Sequence, residues 1–85
     1  MKVWAKTIKD EHITSDATTI VAPFEYVGDF VSCMHTLCGE LDIPTPIILT
    51  KHITHYVQFT NCHFLPGDFV EAVNFDKLVI ENITE

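Results

Sequence analysis

The sequence predicts an α+β fold: a small, mostly antiparallel sheet packed on one amphipathic helix at about residues 23–41. Two observations carry this. Residues 2–21 and the C-terminal segment are rich in β-branched and aromatic types, and between them apolar residues recur at spacings of three and four. With 85 residues and no internal repeat, low-complexity tract or dividing linker, residues 1–85 read as a single domain.

"VWAKTI" and "ITSDATTIV" read as two strands separated by the polar cluster "KDEH", and therefore as a hairpin. If Asp10 and Glu11 form the loop, Ile8 faces Ile13 and Trp4 faces Ala17. Asp-Glu is a poor two-residue turn, so a longer loop is the alternative. Lys6 and Lys9 are expected to be solvated.

The helix lies in "APFEYVGDFVSCMHTLCGELDIPTP". Phe24, Val27, Val31, Met34, Cys38 and Leu41 form its inward stripe, widened by Phe30 and Leu37. Pro23 suits the first turn, Glu25 and Asp29 complement the positive end, and Pro44 and Pro46 forbid continuation.

"PIILTKHITHYVQFTNCHFLP" has two readings. As a strand it alternates Ile53, His55, Val57 and Phe59 on one face with His52, Thr54, Tyr56, Gln58 and Thr60 on the other, which propensity favours. As a helix capped by Thr50 it turns Ile53, Tyr56 and Val57 inward. "PGDFVEAVN" then reads as a turn with at most one short helical turn, and "FDKLVIENI" as a closing strand.

Composition excludes several functions. Twelve acidic residues against five lysines and no arginine give a net charge of −7, which argues against nucleic-acid binding and against an anionic membrane partner. Without a guanidinium fork, bidentate phosphate recognition is also missing. No apolar run approaches the roughly 20 residues that span a bilayer, and the lysines of "MKVWAKTIKD" replace the apolar core of a signal peptide. A cytoplasmic protein is expected, with Cys33, Cys38 and Cys62 reduced and acting as small buried hydrophobes. At this size folding buries only about 60–65% of the unfolded chain's surface, so stability should be modest. A composition that is 47% apolar is generous for so little interior and points to self-association.

The opening "KVWAKTIKD", the helix running into "LDIPTPIILTKH" and the ending "FLPGDFVEAVNFDKLVIENI" together resemble a group of short, acidic, uncharacterised bacterial proteins. The likeness covers most of the chain and carries no catalytic motif. Its members vary at the positions matching His52, His55 and Cys62, so the resemblance implies no site residues. It does imply a helix over 51–59, against propensity.

Four constellations are candidates for chemistry. The stretch "KHITHYVQFTNCH" contains His52, His55, Cys62 and His63, a possible metal or small-ligand set. His52 and His55 share neighbouring helix faces but opposite strand faces, so only the helical reading joins them. In "CMHTLC", Cys33 and His35 lie about 160° apart around a helix and Cys38 about 60° beyond on the other side, so one ion cannot be shared. Asp68, Glu71 and Asp76 fit a solvated loop better than a catalytic carboxylate pair. No Gly-rich phosphate loop exists, and the cysteines sit in apolar company that does not favour a thiolate.

The last constellation is Gly28, Ser32, His35 and Gly39, small residues with one histidine at spacings of four, three and four. Each interior glycine costs about 1 kcal/mol relative to alanine, so close approach of another surface is a reason to keep them. That surface is this protein's own sheet, a second subunit, or a ligand. The reading that follows is a non-enzymatic, cofactor-free, homo-oligomeric interaction module using Gly28, Ser32, His35 and Gly39. The alternative is a metal- or small-ligand-binding protein using the His52 and His55 region.

Overall fold

Strand β1 (Lys2–Lys9) and strand β2 (His12–Ile20) form the expected antiparallel hairpin in this computed structural model, which describes residues 1–83. Asp10 and Glu11 are the two turn residues, with φ of 51° and 67°. Paired left-handed residues match the right-handed twist of the strands they join, so the tight turn forms although neither residue is glycine or asparagine. An acceptor helps: the Asp10 amide donates to Asp76 Oδ2 at 2.8 Å.

Ile8 pairs with Ile13 as expected, but Trp4 pairs with Thr18 rather than Ala17. Thr7 opposes Ser15 and Ile8 opposes Ile13, so Thr14 is an extra residue on β2, a bulge that shifts everything beyond it by one. The bulge serves the core. Thr7 is buried, and its hydroxyl is bonded to Thr14 Oγ1 at 2.7 Å and Ser15 Oγ at 2.9 Å.

The sheet has four strands in the order β2-β1-β4-β3, all antiparallel, with β3 at Asn61–Phe64 and β4 at Lys77–Ile83. Its inner face presents Val3, Ala5, Cys62, Phe64, Leu78 and Ile80, every one buried. Its outer face carries Trp4, Lys6, Val79 and Glu81. Lys6 is not solvated as expected: its ammonium lies 4.0 Å over the Trp4 ring and 4.0 Å from Glu81, while the Trp4 indole donates to Asp16. A long stem lying along apolar surface is a normal fate for lysine.

Helix α1 (Val27–Leu41) packs on the inner face through Phe30, Cys33, Met34, Leu37 and Cys38. It begins four residues later than expected. Asp29 Oδ2 accepts from the Glu25 and Tyr26 amides, at 2.8 and 3.1 Å, so the chain before Val27 is held as a lead-in and Pro23 and Glu25 fall outside the helix. The inward stripe is also rotated, since Val27 is exposed and Val31 and Leu41 only half-buried. At the other end Asp42 is left-handed; its amide reaches Gly39 O and that of Ile43 reaches Cys38 O, closing the helix before Pro44.

The undecided segment is a helix, α2 (Thr50–Phe59), with Leu49 rather than Thr50 at the cap position. Its buried residues are His52 and Tyr56, with Ile53 half-buried; Val57, expected inside, is 75% exposed. Strand propensity loses because a strand would have placed Thr54 and Gln58 beside Tyr56 on one face, whereas the helix buries positions 52, 53 and 56 together. Thr60, left-handed at φ 60°, ends α2 and starts β3 in one step. A single 3₁₀ turn (Pro66–Asp68) follows, as "PGD" suggested.

The hairpin turn is a direct test of this backbone. Glu11→Gly should stabilise the protein by about 0.5–1 kcal/mol, because glycine accepts φ 67° without the steric cost that an L side chain meets. Thermal unfolding should show a rise of a few degrees; a fall would mean the turn is not left-handed at this position.

Candidate functional site

Helix α2 and strand β3 adjoin through Thr60, and that adjacency gathers the histidines. His52, His55, Cys62 and His63 line one cavity of about 350 Å³, together with Lys51, Leu65 and Asp68. The sequence stretch that suggested a joint site therefore does come together in space. Lys51 lay within that stretch, but Asp68, supplied by the 3₁₀ turn, had no spacing signal that could have joined it to the set.

The individual atoms decide what the cavity can do. His52 is buried, and its Nδ1 accepts the Leu49 amide at 2.9 Å, reaching back to the helix start as the acid of a capping box does. Nδ1 is therefore unprotonated and Nε2 carries the hydrogen, which faces Asp68 Oδ2 at 3.5 Å. The same carboxylate oxygen accepts the Leu65 amide at 2.8 Å. His55 is the opposite tautomer: a carbonyl oxygen, Asn61 O, lies 2.7 Å from Nδ1, so Nδ1 donates and Nε2 is left open.

Electrostatics separate the rings further. Burial lowers the His52 pKa below its ordinary value, with Asp68 opposing and Lys51 adding to the shift. His63 is lowered by partial burial and then by the nearby Lys77, His55 and Lys6. Burial pushes the Cys62 thiol up to about 12, so it stays protonated. Of the four candidate ligands, His52 is committed to the helix cap and Cys62 is a neutral thiol, which leaves His55 and His63. Among the described residues no three His, Cys, Asp or Glu side chains converge closely enough to hold a metal ion.

The other constellations separate. Cys33 and Cys38 face the core, where burial raises both thiols to about 11, while His35 is exposed with its Nδ1 3.1 Å from the Thr45 hydroxyl. Asp68 serves His52 and Leu65, Asp76 serves Asp10, and Glu71 is exposed, so these three carboxylates do not share a site. Gly28, Ser32, His35 and Gly39 are all exposed, and a Cβ added at either glycine would meet nothing within 4 Å. The stripe is therefore not packed against this protein's own sheet. On a helix it lies about 160° from the buried stripe, opposite the core rather than beside it.

A second recess went unnoticed in the sequence. Phe24, Glu25, Tyr26, Val27, Phe30, Ile53, Tyr56 and Val57 line a groove of about 230 Å³ between the start of α1 and α2. Its floor is an aromatic cluster, with Phe30 5.1 Å and Phe24 5.9 Å from the Tyr56 ring. Tyr26 is 74% exposed and Val27 58%. Periodicity had assigned Val27 and Val57 to the interior, which concealed the groove. The Tyr56 hydroxyl itself is buried and has no hydrogen-bond partner among the described residues; it lies close to the Cys33 and Cys62 thiols.

Two measurements check this description. A histidine lowered in the folded state leaves the unfolded chain binding more protons, so its contribution is intact above the unfolded value near 6.5 and is lost as pH falls below it. Stability should therefore drop between about pH 7.5 and 5.5. His52→Asn, which keeps an acceptor for the Leu49 amide, should flatten that slope in denaturant titrations, and an unchanged slope would contradict the burial of the ring. Separately, the three thiols should react slowly with a disulfide reagent at neutral pH in the native protein and rapidly in denaturant.

No protein-family model, curated protein or solved structure matches this chain, and its chemistry rests on the geometry of its own residues.

Proposed function

We propose that the protein is a non-enzymatic interaction module that self-associates through the groove between α1 and α2. The observation that carries this reading is the combination, in one patch, of an apolar recess and exposed apolar rims. Phe24, Phe30, Ile53 and Tyr56 form the recess, and Tyr26, Val27 and Val57 stand at its edge. A two-fold pairing of identical surfaces needs both features in the same patch, because each copy inserts what the other receives.

Charge favours a second copy at this place over others. A chain of net charge −7 repels itself, yet Glu25 is the one ionisable acid or base among the groove residues apart from the Tyr26 and Tyr56 phenols. A standard interface of about 800 Å² per partner would cover about 15% of the 5267 Å² surface. The exposed stripe of Gly28, Ser32, His35 and Gly39 continues around the same helix and lies outside the groove, save that Gly28 adjoins Val27.

The non-enzymatic part rests on the sealed, protonated thiols, and the one hydroxyl described as meeting an imidazole, Thr45 on His35 Nδ1, lines neither the cavity nor the groove. Cytoplasmic residence belongs to the same reading, since three unpaired thiols suit a reducing compartment. No helix among the described residues is long and apolar enough to cross a membrane.

Light scattering coupled to gel filtration tests the proposal. The wild type should be dimeric at micromolar concentration, and Val57→Lys should weaken the dimer by about thirtyfold, the cost of placing an ammonium in an apolar contact, with thermal stability of the monomer unchanged. If Gly28→Leu dissociates the protein while Val57→Lys does not, the contact is the small-residue stripe. A wild type that stays monomeric at high concentration overturns the reading altogether.

A further inference from the structure

We propose that the cavity between α2 and β3 is a binding site for a small oxyanion of the phosphate or sulfate type, held by Lys51, His55 and His63. The site is separate from the self-association groove and shares no lining residue with it.

The cavity is about 350 Å³, within the size range of small-molecule sites, and three imidazoles and one ammonium line it. In a chain with five lysines, five histidines, no arginine and a net charge of −7, three histidines and one lysine converge at this one recess. Two more lysines lie near His63 without lining the cavity. Lys77 and Lys6 both act on His63, one from β4 and one from β1, although Lys6 is shared with Glu81. Lines of field from these groups focus in a recess walled by the apolar Leu65 and the neutral Cys62 thiol.

Hydrogen-bonding capacity points the same way. His55 has its Nδ1 hydrogen committed to Asn61 O, so a proton taken up at Nε2 becomes a fixed, charged donor. Asp68 is the one carboxylate in the lining, and its Oδ2 is held by the Leu65 amide and faced by the His52 Nε2 hydrogen. A cation site would have to rely on Asp68 Oδ1 without Oδ2 and without His52, both of which are engaged. Anionic membrane lipid is a poor source for the oxyanion because the rest of this acidic surface would be repelled by it.

Binding should be linked to pH through every ionisable group that faces the imidazoles. These are Lys51, His52 and His55 on α2, Cys62 and His63 on β3, Asp68 on the 3₁₀ turn, Lys77 and Glu81 on β4, and Lys6 on β1. Burial and then the neighbouring cations lower the His63 pKa; an arriving anion compensates the cations, so the anion and the proton bind together.

Sulfate is a suitable probe because its charge is constant across the range of interest. Following the imidazole signals of His55 and His63 by NMR, sulfate should bind saturably, more tightly at about pH 6 than at pH 8, and raise the midpoint of the His63 ring. Lys51→Ala should weaken binding by about tenfold, the loss of one charge-assisted bond. Asp68→Asn, which keeps an acceptor for the Leu65 amide, should tighten it. The sign of that last effect is decisive, since a cation site would be weakened by the same change. Non-saturable shifts, shifts that survive in His63→Gln, zinc binding that Asp68→Asn weakens, or binding to anionic phospholipid vesicles without binding of sulfate would each overturn the proposal. Unchanged thermal melts of the variants show that a lost effect is not a lost fold.

Discussion

One sheet and two helices make two layers, and two layers can cover only one face of the sheet. The covered face takes Val3, Ala5, Thr7, Cys62, Phe64, Leu78 and Ile80 against Phe30, Met34 and Leu37 of α1. Everything else follows from how little remains to cover the rest. The outer face is maintained by its own ladder of Asp16, Trp4, Lys6 and Glu81, with Val79 buried beneath these neighbours and not in the core. The groove between α1 and α2 is open because no other element among the described residues closes it.

Thr7 shows how closely the hairpin is adjusted to that core. A hydroxyl at the inner face of the central strand would cost about 1–3 kcal/mol if left unpaired. The extra residue in β2 brings the Thr14 and Ser15 hydroxyls to it. Tyr56 lacks such an arrangement: near two thiols, its hydroxyl meets no partner among the described residues. Its ring nevertheless anchors the aromatic cluster, so dispersion and burial hold the residue where hydrogen bonding does not.

His52 joins the fold to the candidate site. Its Nδ1 closes the start of α2, its ring stacks at 4.3 Å on Phe64, and its Nε2 hydrogen faces the carboxylate that fixes the 3₁₀ turn. A side chain with three structural duties is a poor candidate for exchangeable ligand chemistry. The cavity's available chemistry therefore shifts to His55, His63 and Lys51, whose polar ends are less committed.

Much of the fold was legible in local sequence. The hairpin, the amphipathic helix, the proline stop and the closing strand each follow from periodicity or from backbone chemistry that acts within a few residues. What local pattern could not decide were quantities set by distant neighbours. The bulge at Thr14 depends on a buried hydroxyl across the strand, and the late start of α1 on Asp29 reaching back. The helical state of residues 50–59 depends on which face Phe64 and the aromatic cluster could receive. The histidines were visible as a cluster in sequence, and the helix that joins them was one of two open readings. Their division into a structural ring and two available ones was not visible, because it turns on single hydrogens donated by Leu49 and accepted by Asn61. Composition determined that this chain is acidic, small and rich in apolar residues; only the tertiary structure decided where the apolar excess surfaces and where the few cations meet, since both depend on which side chains the two layers leave uncovered.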